Sequence, residues 1–216
     1  MWVIVFSMLL AGEFSESKVE LKTYNQSVSE VLEFKKTIDL SDSLTVKNQE
    51  HLDALIVETI LPHWYKTPWD FDGYSNVPKK GEIACGYFVS TPLKHVGFNW
   101  NRYRLAQQDA TTIIRKISGE ETQFYWNKSP EEFLNLVEEL EHGLYVIGFD
   151  SHVGFLHKHQ SGIDIIHSSY YGEICVMKEV ALTAPALSHS NSYVLGRLFT
   201  KDNLRKWKNN EVFKIL

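Results

Sequence analysis

Apolar and polar positions follow two rhythms along this chain, and the change falls near residue 143. In the first part the period is helical. Val28, Val31, Leu32 and Phe34 follow a possible cap at Ser27 and predict a helix over 27–37. Leu52, Leu55, Ile56, Ile60 and Leu61 form a stronger stripe, which predicts a helix over 46–65 that Pro62 bends or ends. Pro68, Gly73, Pro78 and Gly81 mark 66–82 as a loop. The run 86–96 can be helical if Pro92 sits within its first turns or bends it. Leu105, Ala106, Ala110, Ile113, Ile114 and Ile117 predict a helix over 105–117. Ser129-Pro130-Glu131-Glu132 is a helix opening, with Ser129 as cap and Glu132 placed to return the bond. That helix is expected to reach about Glu141 and to end at Gly143.

From Leu144 the rhythm becomes one of short apolar runs punctuated by Gly148, Gly162 and Gly172. Strands are predicted over 144–149, 153–157, 163–167, 174–180 and 193–200, followed by an amphipathic helix over 201–208. Helices first and an antiparallel sheet second make the fold class α+β, with helices segregated from the sheet. Residues 13–26 are polar and expected to be poorly ordered.

A length of 216 residues suits one domain with an extension or two small domains, and 44% hydrophobic residues suffice for a core. The net charge of -5 with mixed signs and no basic block argues against nucleic acid as the main partner. Aromatics reach 13%, which fits either a stacking cleft or a Trp-rich core. The two cysteines, Cys85 and Cys175, rule out a disulfide framework and CxxC metal knuckles, and both are expected as free thiols. Residues 2–11 are almost all apolar, the length of a signal-peptide core and too short to span a bilayer. No Lys or Arg precedes them, and Glu13 stands where a lipoprotein signal would carry its cysteine. The chain is therefore read as exported, to the periplasm or cell surface, with a buried N-terminal strand as the alternative. A signal over 1–15, a linker with a helix over 16–45 and a catalytic domain over 46–216 complete the expected organisation.

Cys85 stands at a predicted helix start, His152 at a predicted strand start and His167 on the next strand. Thiol chemistry needs such parts: a nucleophile, a base beside it and a polar group that orients the base. Cys85, His152 and His167 are the candidate triad. Asp164 is the fallback orienter, although in a regular strand it faces away from His167. Each has a plainer reading, Cys85 as a small buried hydrophobe and the histidines as polar strand ends. His157 and His159 alternate as a metal pair would, but with no carboxylate nearby in sequence they read as solvated hairpin residues. Cys175 reads as core. Asp70 and Asp72 read as a turn, with cleft lining as the functional alternative. No metal or cofactor is expected.

Cys85, His152-Val153-Gly154-Phe155-Leu156 and Ile166-His167-Ser168-Ser169 fall in the order found in papain-like hydrolases. Thr67-Pro68-Trp69-Asp70-Phe71-Asp72-Gly73 adds an upstream match. Over roughly residues 62–180 the chain resembles the NlpC-type peptidases, a family of cell-wall endopeptidases. That family usually has Asp-Cys-Ser-Gly at the nucleophile, where this chain has Ala84-Cys85-Gly86-Tyr87. Trp69 replaces a tyrosine whose hydroxyl lies at the family's site. An indole N–H donates a hydrogen bond and accepts none. The resemblance implies a papain-like fold and a cysteine peptidase or amidase cleaving cell-wall peptide through a thioester acyl-enzyme. Cys85 would be a thiolate paired with protonated His152. Trp69, Asp70, Phe71, Tyr87 and Ser151 are the expected substrate-binding residues. A non-catalytic binding module on the same scaffold and a thiol acyltransferase or transglutaminase-like enzyme stay open beside it.

Overall fold

The structure, a computed structural model, describes residues 22–215, with only the backbone described for residues 42–45. The signal-like stretch over 1–15 lies outside them. Helix α1 spans Tyr24–Thr37 and starts earlier than the hydrophobic pattern indicates. Thr23 caps it in a box with Gln26, so residues 24–26, expected to be poorly ordered, form its first turn. Ser27 lies inside this helix and bonds His63 Nε2 at 3.1 Å. Val31 is fully buried, so α1 is a packed layer of the main core.

The helix expected over 46–65 is three pieces. Helix α2 (Asp42–Leu55) runs into one wide π turn (Ile56–Ile60) and a tight 3-10 segment (Leu61–Trp64) that Pro62 opens. These changes of pitch keep Ile56, Ile60, Leu61 and Trp64 all fully buried. Helix α3 (Cys85–His95) holds Pro92 in its second half rather than its first turns. The helix expected over 105–117 is also broken. Asn101 caps α4 (Arg102–Ala106), and Asp109 accepts the Thr112 N–H at 2.9 Å to start α5 (Ala110–Ser118). Helix α6 (Pro130–Glu138) has its capping box at Ser129 and Glu132. Helix α8 (Lys201–Lys208) has the predicted bounds.

Six strands, β1 (Gln123–Trp126), β2 (Gly143–Gly148), β3 (Val153–His159), β4 (Gly162–Ser168), β5 (Val176–Val180) and β6 (Ser192–Arg197), form one sheet in the order β1-β6-β2-β3-β4-β5. Every neighbouring pair is antiparallel. Strand β1 was not foreseen. Its three aromatics favour a strand, and all four residues pair with β6. Gly143, expected to end a helix, opens β2.

The protein is α+β, but helices cover both faces of the sheet. Val146, Phe155, Ile166 and Val194 pack toward α1, α2, α3, α5 and α8. Tyr145, Ile147, Leu156, Ile165 and Leu195 pack toward α6 and the short helix α7 (Pro185–Ser188). Burial on both faces explains why 144–147 is a continuous apolar run, since no face of β2 meets water. Among the described residues no helix is long and apolar enough to cross a membrane.

Trp207 ties the C-terminal helix to the rest. It is fully buried, and its Nε1 donates to Val96 O at 2.8 Å just beyond α3. Trp207→Ala is expected to lower the unfolding free energy by about 3–5 kcal/mol, read from denaturant titration with unchanged far-UV dichroism.

Candidate active site

Cys85 is the first residue of α3. Ala84 occupies the cap position and has no side chain with which to bond the first turn, so the amides of Cys85, Gly86 and Tyr87 are left without intrahelical partners. The preceding loop is held by backbone bonds from Ile83 N to Pro68 O at 2.9 Å and from Ala84 N to Gly73 O at 2.8 Å. Ser168 on β4 donates to Ile83 O at 2.6 Å and fixes that loop to the sheet. Gly86 has a local reason to be glycine: a Cβ there would lie 2.4 Å from the Ala106 carbonyl oxygen. The absence of a side chain at Gly86 makes room for the end of α4.

His152 directly precedes β3 and is 3% exposed. Its Nε2 lies 2.7 Å from Nδ1 of His167, which is fully buried on β4. His167 Nε2 in turn lies 2.8 Å from Glu179 Oε1. Gly154 permits this approach, since a Cβ there would come within 2.8 Å of His167 Cβ. Glu179 was not among the sequence candidates. It reaches His167 because β5 pairs Glu179 with Ile165, which places it diagonally next to His167 on the same face. Asp164 faces away from His167, as strand alternation requires, and pairs with His159 and Lys178 instead.

With Glu179 ionised and His167 neutral, His167 donates from Nε2 and accepts at Nδ1. His152 then donates from Nε2 and keeps a lone pair on Nδ1. That Nδ1 is buried and has no hydrogen-bond partner.

Cys85 and His152 line one depression of about 290 Å³ together with Asp109, Ile113, Phe149, Asp150 and Val153. The Val153 N–H lies beside the Cys85 sulfur. Burial pushes the Cys85 thiol up, against the smaller opposing pull of the Val153, Gly86 and Cys85 amides. Burial, and then the neighbouring His167, hold His152 well below its ordinary value. Both directions run against the expected thiolate–imidazolium pair and toward a neutral thiol beside a neutral imidazole.

A second depression of about 490 Å³ opens on the other side of Cys85, walled by Trp69, Phe71, Asp72, Tyr87, Ser151 and Tyr170. Four of the five expected substrate-binding residues meet there. Asp70 does not. It accepts the Asp72 N–H at 2.8 Å in a turn and lines a neighbouring hollow. Trp69 Nε1 is buried without a partner, and Phe71 is 80% exposed at the rim. Tyr170, also unforeseen, bonds Ser151 Oγ at 2.9 Å and sets its ring edge-on to His152 at 5.1 Å and near Trp69 at 5.5 Å. Its place in Ser168-Ser169-Tyr170, just after His167, was the available signal. Cys175 is buried, as expected of core, and both cysteines are free.

Comparison with known proteins finds no family model that matches the chain and no matching curated protein.

The depressed His152 makes stability depend on pH in a set direction. Its contribution is complete above the unfolded value near 6.5 and is lost as pH falls from there toward the folded value. Between about pH 7 and about pH 5 the unfolding free energy is expected to decline, with His152 adding up to about 1.4 kcal/mol per pH unit. His152→Gln should show a correspondingly shallower decline in denaturant titrations; equal slopes in the two proteins would assign the proton uptake elsewhere.

Proposed function

We propose that the chain is a cysteine hydrolase, a peptidase or amidase of papain-like, NlpC-type architecture, with Cys85 as nucleophile and His152 as base. The observation that carries this reading is the hydrogen-bond line Glu179–His167–His152, which ends in an unpartnered, buried Nδ1 on a cleft shared with a helix-start thiol. The large majority of buried side-chain polar atoms have a hydrogen-bond partner. A base awaiting a proton has one ring nitrogen free.

In this reading the Cys85 proton passes to His152 Nδ1 as the sulfur attacks the substrate carbonyl carbon, so a neutral pair suffices. The carbonyl oxygen gains the negative charge and is met by the uncapped amides at the start of α3. His152, now imidazolium, is stabilised through His167 by the Glu179 carboxylate. It returns the proton to the departing amine as the C–N bond breaks and leaves a thioester. Water attacks that thioester, giving its proton to His152 Nδ1, and the C–S bond breaks to release the acid and restore the thiol. The aromatic walls of the second depression suit a peptide segment laid across Cys85. The orphan Trp69 N–H suits a substrate carbonyl, since a buried donor left unmade costs about 1–3 kcal/mol. Cell-wall peptide is the substrate class proposed, on the motif order alone.

One observation favours a binding-only module, namely the burial that keeps Cys85 protonated. Turnover of peptidoglycan fragments, followed by chromatography and mass analysis of products, separates the two readings. Cys85→Ala should abolish cleavage while leaving fragment binding, and an unchanged rate in that variant would remove the thiol from the chemistry. Glu179→Gln should lower kcat by about a hundredfold, within the range of a positioned acid–base system, with KM nearly unchanged and the acid limb of the pH–rate profile displaced.

The neutral resting pair has its own readout. Alkylation of Cys85 by iodoacetamide is expected to be slow at neutral pH and to rise steadily into the alkaline range. A rate already fast and flat through neutrality would indicate the ion pair instead.

A further inference from the structure

We propose that the β3–β4 hairpin holds a site for a divalent transition-metal ion of the zinc class, with His157, His159 and Asp164 as its ligands. It is independent of the hydrolase reading and lies at the other end of β3. His152 and His157 are five residues apart, roughly 17 Å along a strand.

The geometry comes from the strand pairing. His157 and His159 are both on β3 rather than in a loop, two residues apart, so they share a face. Asp164 on β4 sits directly opposite His157 in the register. The carboxylate missing from the sequence neighbourhood is therefore supplied across the hairpin. One donor atom from each of the three residues lies within 4.8 Å of the others. The rings of His157 and His159 are 4.9 Å apart, and His159 Nε2 is 3.1 Å from Asp164 Oδ2. In a tetrahedral site with bonds of about 2.0–2.1 Å, donors stand about 3.3 Å apart. The donors here exceed that spacing by at most about 1.5 Å, a gap left to side-chain rotation.

Two further features point the same way. Ser161 Oγ lies 2.9 Å from His159 Nδ1 and occupies the nitrogen that faces away from Asp164, so Nε2 is the one presented to an ion. Such outer partners hold a ligating imidazole in orientation. His157, half-buried, makes no hydrogen bond among the described residues, which leaves an imidazole lone pair free for an ion. Two imidazoles and one carboxylate favour zinc and its neighbours over magnesium or calcium, with water completing the shell. The competing cation is Lys178, whose Nζ is 3.2 Å from Asp164 Oδ2. Its side chain is 46% exposed and can swing into solvent when a metal takes its place.

Co²⁺ titration of the metal-free full-length protein tests this, followed by visible absorption and by competition with a chromophoric chelator. A Cys85→Ala, Cys175→Ala background removes thiolate ligands. We expect one Co²⁺ per chain with d–d bands and no sulfur charge-transfer band. Zn²⁺ should displace it. His157→Gln and His159→Gln should each weaken binding by about a hundredfold or more, the upper range seen even for outer-shell losses. Lys178→Gln should tighten it. Dichroism and melting curves verify that each variant is folded, and either histidine variant suffices if the other is not. Absence of Co²⁺ binding, binding undiminished in a folded histidine variant, or binding that requires the cysteines overturns the proposal.

Discussion

Burial of the sheet on both faces is the constraint from which the other features follow. An antiparallel sheet with one wet face can leave polar side chains to water. Here β2, β3 and β4 have helices on either side, and any polar group carried into them must find a partner inside the protein. His152 and His167 are such groups, at 3% and 0% exposure. Burial makes the charged form costly and holds His152 well below its ordinary value. Neutral imidazoles in series need an acceptor at one end, and Glu179, on the edge strand and partly open to solvent, supplies it. His152 Nδ1 is the exception, a buried atom at the end of that line with no hydrogen-bond partner among the described residues. The same burial raises the Cys85 thiol as it lowers His152.

Local features were legible in the sequence where the deciding atoms are close along the chain. The Ser129 capping box, the amphipathic run from Lys201 and the strand runs around His152 and His167 all rest on neighbours within a few residues. Breaks in the helices were less legible. Asp109 stops a single helix by capping a new one, and the apolar stripe on either side gives no sign of it. Likewise the π turn after Leu55 keeps the apolar stripe in contact with the core, so periodicity reads straight through it.

What sequence could not supply is register. Glu179 looked like one acid in Met177-Lys178-Glu179-Val180 until the β4–β5 pairing set it beside His167. Asp164 was considered as a partner for His152, and alternation alone argued against it, but which groups it does meet depended on where the β3–β4 turn falls. The turn at Gln160-Ser161 puts Asp164 opposite His157. Asp70 shows the converse: it lies close in sequence to Trp69 and Phe71, yet its carboxylate is taken up by its own turn.

Strand β3 joins these observations. Its side chains alternate faces, and His152 is separated from His157 by five residues and from His159 by seven, both odd numbers. His152 lies just ahead of β3, and its partner His167 stands three residues from Asp164 on β4, so the two sets face opposite sides of the sheet. His152 continues the parity of Leu156, toward the side where His167 and Glu179 lie, while His157 and His159 share the parity of Phe155. His152, just ahead of β3, and the His157–His159 pair toward its other end therefore do not compete for a partner. A single-residue slip in the β3–β4 register would exchange the faces and would bring Asp164 out of line with His157 at the same time as it took His167 from His152. Both sets of contacts therefore depend on the same register of β3 with β4.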